Sequence, residues 1–281
     1  MIENMNGMLK KAKQGKYGVG AFNFNEFTDL KALVHAAAEN SAPVILMASG
    51  GTVKFFGIKE IVHAYRCLAE DTGAACALHL DHCKDIELLE TCVNAGFTSV
   101  MIDASTKPFD ENAEITKRVV EIAHGKGVSV EAELGTVAGR EEDIVGGEAE
   151  YINPGKVGEF IEKTGIDALA VGIGTVHGFY KQEPHIRFDL IEEIAGLTDT
   201  PLVMHGGTGL SVEDFQRAIR CGISKVNVGT ELKFSFSSRL CEIAKEKGPE
   251  GDPRDFMRAV YEGSKTIAAG KMKIFGCAGK A

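Results

Sequence analysis

The sequence predicts an α/β protein folded as a single (β/α)8 (TIM) barrel over residues 1–281, and three observations predict it. Eight short apolar, β-branched runs alternate along the whole chain with amphipathic stretches, the pattern of parallel strands buried on both faces and joined by helices. The length of 281 residues suits such a barrel, which needs roughly 250. Polar residues fall at or just past the end of each run: Asn23, Ser49, Asp81 with His82, Asp103, Glu133, His177, His205 and Asn227. In a barrel those ends meet at one face, the C-terminal face, where active sites form. A doubly wound open sheet is the alternative, and the absence of a GxGxxG after the first run argues against it.

The predicted strands are Tyr17–Phe22, Pro43–Ser49, Ala75–Asp81, Ser99–Ala104, Ser129–Gly135, Ala168–Gly174, Leu202–Gly207 and Lys225–Thr230. Between them, Asp29–Asn40 reads as a helix with Leu30, Leu33, Val34 and Ala37 on one face. Asn112–His124 groups Ile115, Val119 and Ile122, and Val212–Cys221 follows Ser211, an N-cap residue. The segment 136–158, rich in Gly and acidic residues, is long for a βα connection, where about 2–6 residues are usual. It reads as a mobile lid or as a solvated acidic loop.

Composition excludes several classes. Lys plus Arg is 31 and Asp plus Glu is 40, a net charge of −9, the wrong sign for gripping nucleic acid or an anionic membrane. Trp is absent and aromatics are 7%, too few for a base-stacking platform. No run approaches a membrane span, and the first residues have no apolar stretch of a signal peptide. Seven cysteines without a CxxC pair fit a reducing, cytoplasmic setting with free thiols. Glycine is the unusual figure: 33 of 281 is about 12%, against about 7% in ordinary chains.

His82, His177 and His205 sit at strand ends beside Gly or Asp, and three imidazoles with an open position form a catalytic zinc pattern. His79 lies inside a strand, His35, His63 and His124 lie in helix-like stretches, and His185 lies in a loop; these read as structural or surface residues. Asp81 and His82 are neighbours, so both face the site only if the pleat breaks there. Asp81 then orients a ligand, acts as acid and base, or caps the next helix. Glu131 and Glu133 share a parity, and either serve the site or form a buried pair bridging to Lys or Arg. Asp103 and Glu133 are candidates for a second cation, divalent or monovalent, or for hydrogen-bonding the ligands. The Gly-rich turns His205–Gly209 and Asn227–Thr230 close the last two strands, where barrels bind phosphate through bare backbone N–H groups.

These residues bring the chain into resemblance with class II, metal-dependent ketose-bisphosphate aldolases, the fructose- and tagatose-1,6-bisphosphate aldolases. The blocks that carry it are Val19–Asn25 (VGAFNFN), Leu78–His82 (LHLDH), Val130–Gly135 (VEAELG), Gly174–Tyr180 (GTVHGFY), Leu202–Gly209 (LVMHGGTG), Lys225–Lys233 (KVNVGTELK) and Lys273–Lys280 (KIFGCAGK). The resemblance implies zinc on His82, His177 and His205, with Asp103 and Glu133 near a second cation site. It implies Asp81 as the residue exchanging a proton at the aldehyde oxygen, and Glu141, with Glu142 one place away, as the lid acid at C3 of dihydroxyacetone phosphate. It implies a dihydroxyacetone-phosphate cradle of Gly178, Gly206, Gly207, Thr208, Asn227, Val228, Gly229 and Thr230, with Lys181 a further phosphate contact. Asn23 and Ser49 correspond to substrate-contacting positions.

The implied activity is reversible cleavage of a ketose 1,6-bisphosphate to dihydroxyacetone phosphate and glyceraldehyde 3-phosphate through a zinc-stabilised enediolate. Fructose 1,6-bisphosphate is the first expectation and tagatose 1,6-bisphosphate the second, and the expected assembly is a homodimer or homotetramer, with or without a helper subunit. Where many relatives carry an Arg for the distal phosphate, this chain has Tyr261, with Arg258 nearby. That departure leaves the aldehyde half open and admits a related aldolase with a different aldehyde partner. Two further classes compete: a metal-dependent hydrolase, which would more often carry an HxH pair on its first strand, and a non-catalytic barrel subunit.

Overall fold

The computed structural model describes every residue except 142–143, 146–149 and 181, and the backbone alone at 140–141 and 144–145. Its strands are β1 (Val19–Asn23), β2 (Val44–Ser49), β3 (Cys76–Cys83), β4 (Ser99–Ile102), β5 (Ser129–Leu134), β6 (Ala138–Glu141), β7 (Ile144–Val145), β8 (Ala168–Val171), β9 (Val176–His177), β10 (Leu202–Met204) and β11 (Ile223–Val228). Its helices are α1 (Met5–Gly15), α2 (Phe27–Glu39), α3 (Gly50–Phe56), α4 (Ile58–Thr72), α5 (Ile86–Ala95), α6 (Phe109–His124), α7 (Val157–Thr164), α8 (Phe188–Leu197), α9 (Val212–Cys221), α10 (Thr230–Lys247) and α11 (Pro253–Ile274).

Eight strands close into a parallel barrel in chain order, β1-β2-β3-β4-β5-β8-β10-β11 and back to β1. Every residue of β1, β2, β3, β5 and β11 is buried, because side chains of one parity fill the barrel and those of the other meet the helices. All eight strands expected from sequence are present, with ends displaced by a few residues. The last begins at Ile223, two residues earlier than the sequence indicates. Leu202–Met204 is shorter than its apolar run because the Gly-rich turn ends the ladder.

Local chemistry starts and stops the helices. Asp85 caps α5 by accepting from the N–H groups of Glu87 and Leu88, so Asp81 is not that cap. Ser211 and Asp214 form a reciprocal capping box on α9. Ser49 accepts from Thr52 N–H and caps α3, binding strand end to helix start.

The amphipathic α1, outside the eight-unit reading, closes the bottom of the barrel. It buries Met5, Met8, Leu9 and Ala12. Its Lys13 ammonium donates to the Thr198 carbonyl, and the preceding Asn4 amide donates to the Gly127 carbonyl; both carbonyls lie just before barrel strands. The segment read as a lid contains the antiparallel pair β6–β7, and its last two residues already belong to α7. β6 also pairs in parallel with β9, Gly139 opposite His177, so this segment is rooted on the strand that carries His177.

Candidate active site

Asp81 and His82 do share one side of the barrel. The β3–β4 register shifts between Leu80 and Cys83, and His82 adopts φ +44°, a left-handed conformation that costs a non-glycine residue about 1–3 kcal/mol. The pleat breaks there, as simultaneous use of both side chains requires. His82 on β3, His177 on β9 and His205 after β10 converge, with one ligand atom of each within 4.8 Å of the others, all three buried. Among the described residues this is the group of His, Cys, Asp and Glu whose donor atoms gather in this way, and Asp103 and Glu133 lie against His82 and His205.

Carboxylates orient two of the imidazoles. Asp103 Oδ2 lies 3.1 Å from His82 Nδ1 and is itself steadied by the Ser105 hydroxyl, which donates to Oδ1 at 2.7 Å. Glu131 Oε1 lies 2.9 Å from His205 Nε2. Assigning a proton to each bonded nitrogen leaves a lone pair on His82 Nε2 and His205 Nδ1. His82 Nε2 is buried with no hydrogen-bond partner among the described residues, and His205 Nδ1 has the Glu133 carboxylate 3.2 Å away. A buried lone-pair nitrogen facing two other imidazoles fits a divalent metal with nitrogen ligands. Glu133 Oε1 also accepts from the Val137 N–H at 3.3 Å.

Asp81 sits between two amides. Asn23 Nδ2 donates to its Oδ2 at 3.0 Å and Asn227 Nδ2 to its Oδ1 at 3.5 Å. Burial pushes this carboxyl up, but the positive charge of His82 and Lys225 outweighs it and holds the group below its ordinary value. Burial pulls His82 down, yet Asp81 and the hydrogen bond to Asp103 raise it to about 10 in the metal-free protein. Burial and the charges of His82 and His205 pull His177 well below its ordinary value.

Beneath the rim lies a layer whose central ion pair takes the buried-bridge reading of Glu131. Lys225, fully buried, places its ammonium 2.9 Å from Glu131 Oε2 and donates to Asn227 Oδ1 at 2.7 Å. A charge chain thus runs from Lys225 through Glu131 to His205, and through Asn227 to Asp81. Lys225 was missed as a site residue, though a lysine inside an apolar strand is itself a signal for a buried partner. His79 takes the structural of its two readings: it lies inside the barrel, its Nδ1 2.9 Å from the Ser99 hydroxyl. His35, His63 and His124 lie on helices, and His185 is exposed.

The expected phosphate cradle falls on adjacent connections. Gly206, Gly207 and Thr208 follow β10, Asn227 and Val228 end β11, and Gly229 and Thr230 open α10, whose N-terminus has no side-chain cap. Gly206 has φ +72°, and a Cβ there would run into the Val176 carbonyl oxygen; only glycine fits. Gly178, φ +88°, joins a cleft of about 720 Å³ with His177 and Tyr180. Asn23 and Asn227 hold Asp81, and Ser49, paired in register with Asp81, opens a second cleft of about 400 Å³ with Thr52 and Lys233. Tyr261 lies on the outer helix layer, its hydroxyl 2.8 Å from His35 Nδ1. Lys181 and Glu142 lie outside the described residues, and of Glu141 only the backbone, in β6, is described.

A closed parallel barrel with three buried imidazoles and a carboxylate at its C-terminal rim has the build of a (β/α)8 enzyme, with three histidines grouped so that they could hold a metal. The sequence matches the family described as fructose-bisphosphate aldolase class-II over residues 3–280. It is 45% identical over 283 aligned positions to the fructose-bisphosphate aldolase of Geobacillus stearothermophilus, covering 100% of this chain and 99% of that protein. It is 44% identical, with the same coverage, to the fructose-bisphosphate aldolase of Staphylococcus aureus. The solved YdjI aldolase of Escherichia coli superposes with a TM-score of 0.88 at 32% identity, covering 100% of both chains. The chain belongs to the class II fructose-bisphosphate aldolase family. It is an aldolase, a lyase, and the hydrolase and non-catalytic readings fall away.

Proposed function

We propose that the protein catalyses reversible aldol cleavage of a ketose 1,6-bisphosphate, fructose 1,6-bisphosphate first and tagatose 1,6-bisphosphate second, to dihydroxyacetone phosphate and glyceraldehyde 3-phosphate. The observation that carries this reading is the convergence of His82, His177 and His205 beside the Asp81 carboxylate, in a chain matched almost end to end by the family. His82 Nε2 and His205 Nδ1, with an imidazole nitrogen of His177, would hold zinc. Zinc supplies Lewis acidity toward the carbonyl oxygen of the ketose.

In the cleavage direction Asp81, steadied by Asn23 and Asn227, takes the proton from the C4 hydroxyl as the C3–C4 bond breaks. The lid acid, Glu141 in this reading, returns a proton to C3. Segment 136–158 acts as the lid, and its root on β9 supports this role. Gly178, Gly206, Gly207, Thr208 and Asn227 to Thr230 hold the phosphate of the ketone half through backbone N–H groups and hydroxyls, with Lys181 a further phosphate contact in this reading. A second cation would sit by Asp103 and Glu133. The cleft with Ser49, Thr52 and Lys233 receives the aldehyde half, and the Lys233 ammonium supplies the positive charge that Tyr261 does not.

The enzyme works as a homodimer or homotetramer in the cytoplasm. No described helix is long and apolar enough to cross a membrane, and all seven cysteines are free thiols.

The test is a coupled assay of both bisphosphates side by side on metal-stripped and zinc-reconstituted protein. Cleavage of at least one substrate that depends on zinc is expected. Activity that survives complete metal removal, or borohydride trapping of a substrate–lysine adduct, would overturn the mechanism; failure on both substrates would move the reading to a different aldehyde.

A further inference from the structure

Two of the three converging histidines are carried by segments that are not neighbours in the barrel ladder. His177 ends β9, which pairs with β6 outside the barrel, and His205 follows the last residue of β10. The Tyr180 phenol spans the two segments. Its oxygen accepts from the Val176 backbone N–H at 3.2 Å and donates to the Gly206 carbonyl at 2.8 Å. Val176 immediately precedes His177, and Gly206 immediately follows His205. Both ends of this bridge are therefore one residue from an imidazole, and Gly206 also begins the Gly-rich turn. The two backbones already touch, since a Cβ on Gly206 would meet Val176, so a small change in their separation moves both histidines. The phenol is well suited to a fixed donor role: burial pushes it up to about 12, and it stays protonated across the working range.

We propose that Tyr180 is a positioning residue for the metal site, its hydroxyl fixing the separation of His177 from His205 and holding the Gly206–Thr208 turn against β9. This rests on the reading of the three histidines as a metal site. Removing the hydroxyl leaves the Val176 N–H and the Gly206 carbonyl without this bridge and lets the two imidazoles drift apart. Groups that orient metal ligands typically change metal affinity by about 10–100-fold when deleted.

The experiment compares the full-length wild type, Tyr180→Phe and Tyr65→Phe. Tyr65 makes an equivalent phenol-to-carbonyl bond, 2.8 Å to Cys76 O, but at the start of β3, the opposite end of the barrel. Two quantities are measured on metal-stripped protein: zinc affinity by competition with a chromophoric chelator, and the urea midpoint of unfolding without metal. The expected result is zinc affinity at least ten-fold weaker in Tyr180→Phe and unchanged in Tyr65→Phe, whatever stability each loses. Wild-type zinc affinity in Tyr180→Phe, or equal weakening in both variants, overturns the proposal while leaving the metal site standing. A wild type that binds no zinc removes the metal site and the proposal together.

Discussion

Asp81 accepts from two side-chain amides, Asn23 and Asn227, which hold its carboxylate in place; in the proposed function it transfers the proton while the imidazoles beside it take the metal. These roles separate under mutation. Asp81→Asn should lower kcat by about 10²–10⁴-fold, the usual range for a positioned acid or base, with zinc content unchanged; a variant that keeps wild-type turnover denies Asp81 its proton-transfer role. Lys225 is a different case. Truncating it to Met leaves the Glu131 carboxylate buried without its cation, and breaking such a pair from one side costs about 3–5 kcal/mol. Urea unfolding should show that loss for Lys225→Met and partial recovery in the double variant with Glu131→Gln. A loss under about 1 kcal/mol would mean that water reaches the pair.

His79, inside the barrel, is pushed down to about 3 by burial and by Lys225. Its folded value lies below the unfolded value of about 6.5. The stability of its neutral form is therefore complete above that pH and is lost as pH falls toward 3. Metal-free wild type should lose stability through this window more steeply than His79→Gln, by up to about 1.4 kcal/mol per pH unit. Parallel pH profiles for the two proteins would show that His79 does not report this burial.

At the scale of elements, strand ends place the chemistry and turns set its precision. The break in β3 after Leu80 turns two sequence neighbours to one side, and the turn after β10 brings bare backbone against β9. Gly206→Ala tests the second device. With φ +72° and the Val176 carbonyl in the way, even one methyl forces the turn and β9 apart. The variant should raise KM for the bisphosphate and weaken zinc retention together; wild-type values for both would show that the contact relaxes without consequence. The Ser49, Asp85 and Ser211 caps were legible to different degrees. Ser211 announced itself beside an amphipathic run, whereas the capping role of Ser49 had no such cue, and the family resemblance implied for it only a substrate contact. The antiparallel β6–β7 pair was invisible in a Gly-rich acidic stretch without apolar alternation.

For the whole molecule, the net charge of −9 means that no global field draws in an anionic sugar phosphate. In the proposed function capture falls to local groups: amides at the rim, the N-terminus of α10, the Lys233 ammonium and a metal ion. A metal held by His82, His177 and His205, as proposed, would also couple to the stability of the entire barrel, because the three histidines come from segments far apart in the chain. Stripping zinc from protein held at a thousand-fold excess over its dissociation constant should remove about 4 kcal/mol, a fall in Tm on the order of 10 °C, reversed on adding zinc back. Identical melting curves with and without chelator would show that the histidine cluster holds no ion.

The sequence by itself determined the class of fold, the order of the eight strands and the residue types at their ends. Those follow from local periodicity, and the barrel then has only one face on which strand ends can meet. It also marked the three histidines and the glycine turns. Tertiary structure decided which of these residues touch. Glu131 pairs with both Lys225 and His205, Asn23 and Asn227 clasp Asp81, and Tyr180 bridges two histidine-bearing segments. These are contacts between residues far apart in the chain, set by barrel stagger and side-chain direction rather than by any local pattern. The glycine excess shows the boundary well: sequence flagged the number, and only the packed backbone of Gly206 against Val176 shows why a side chain is forbidden there.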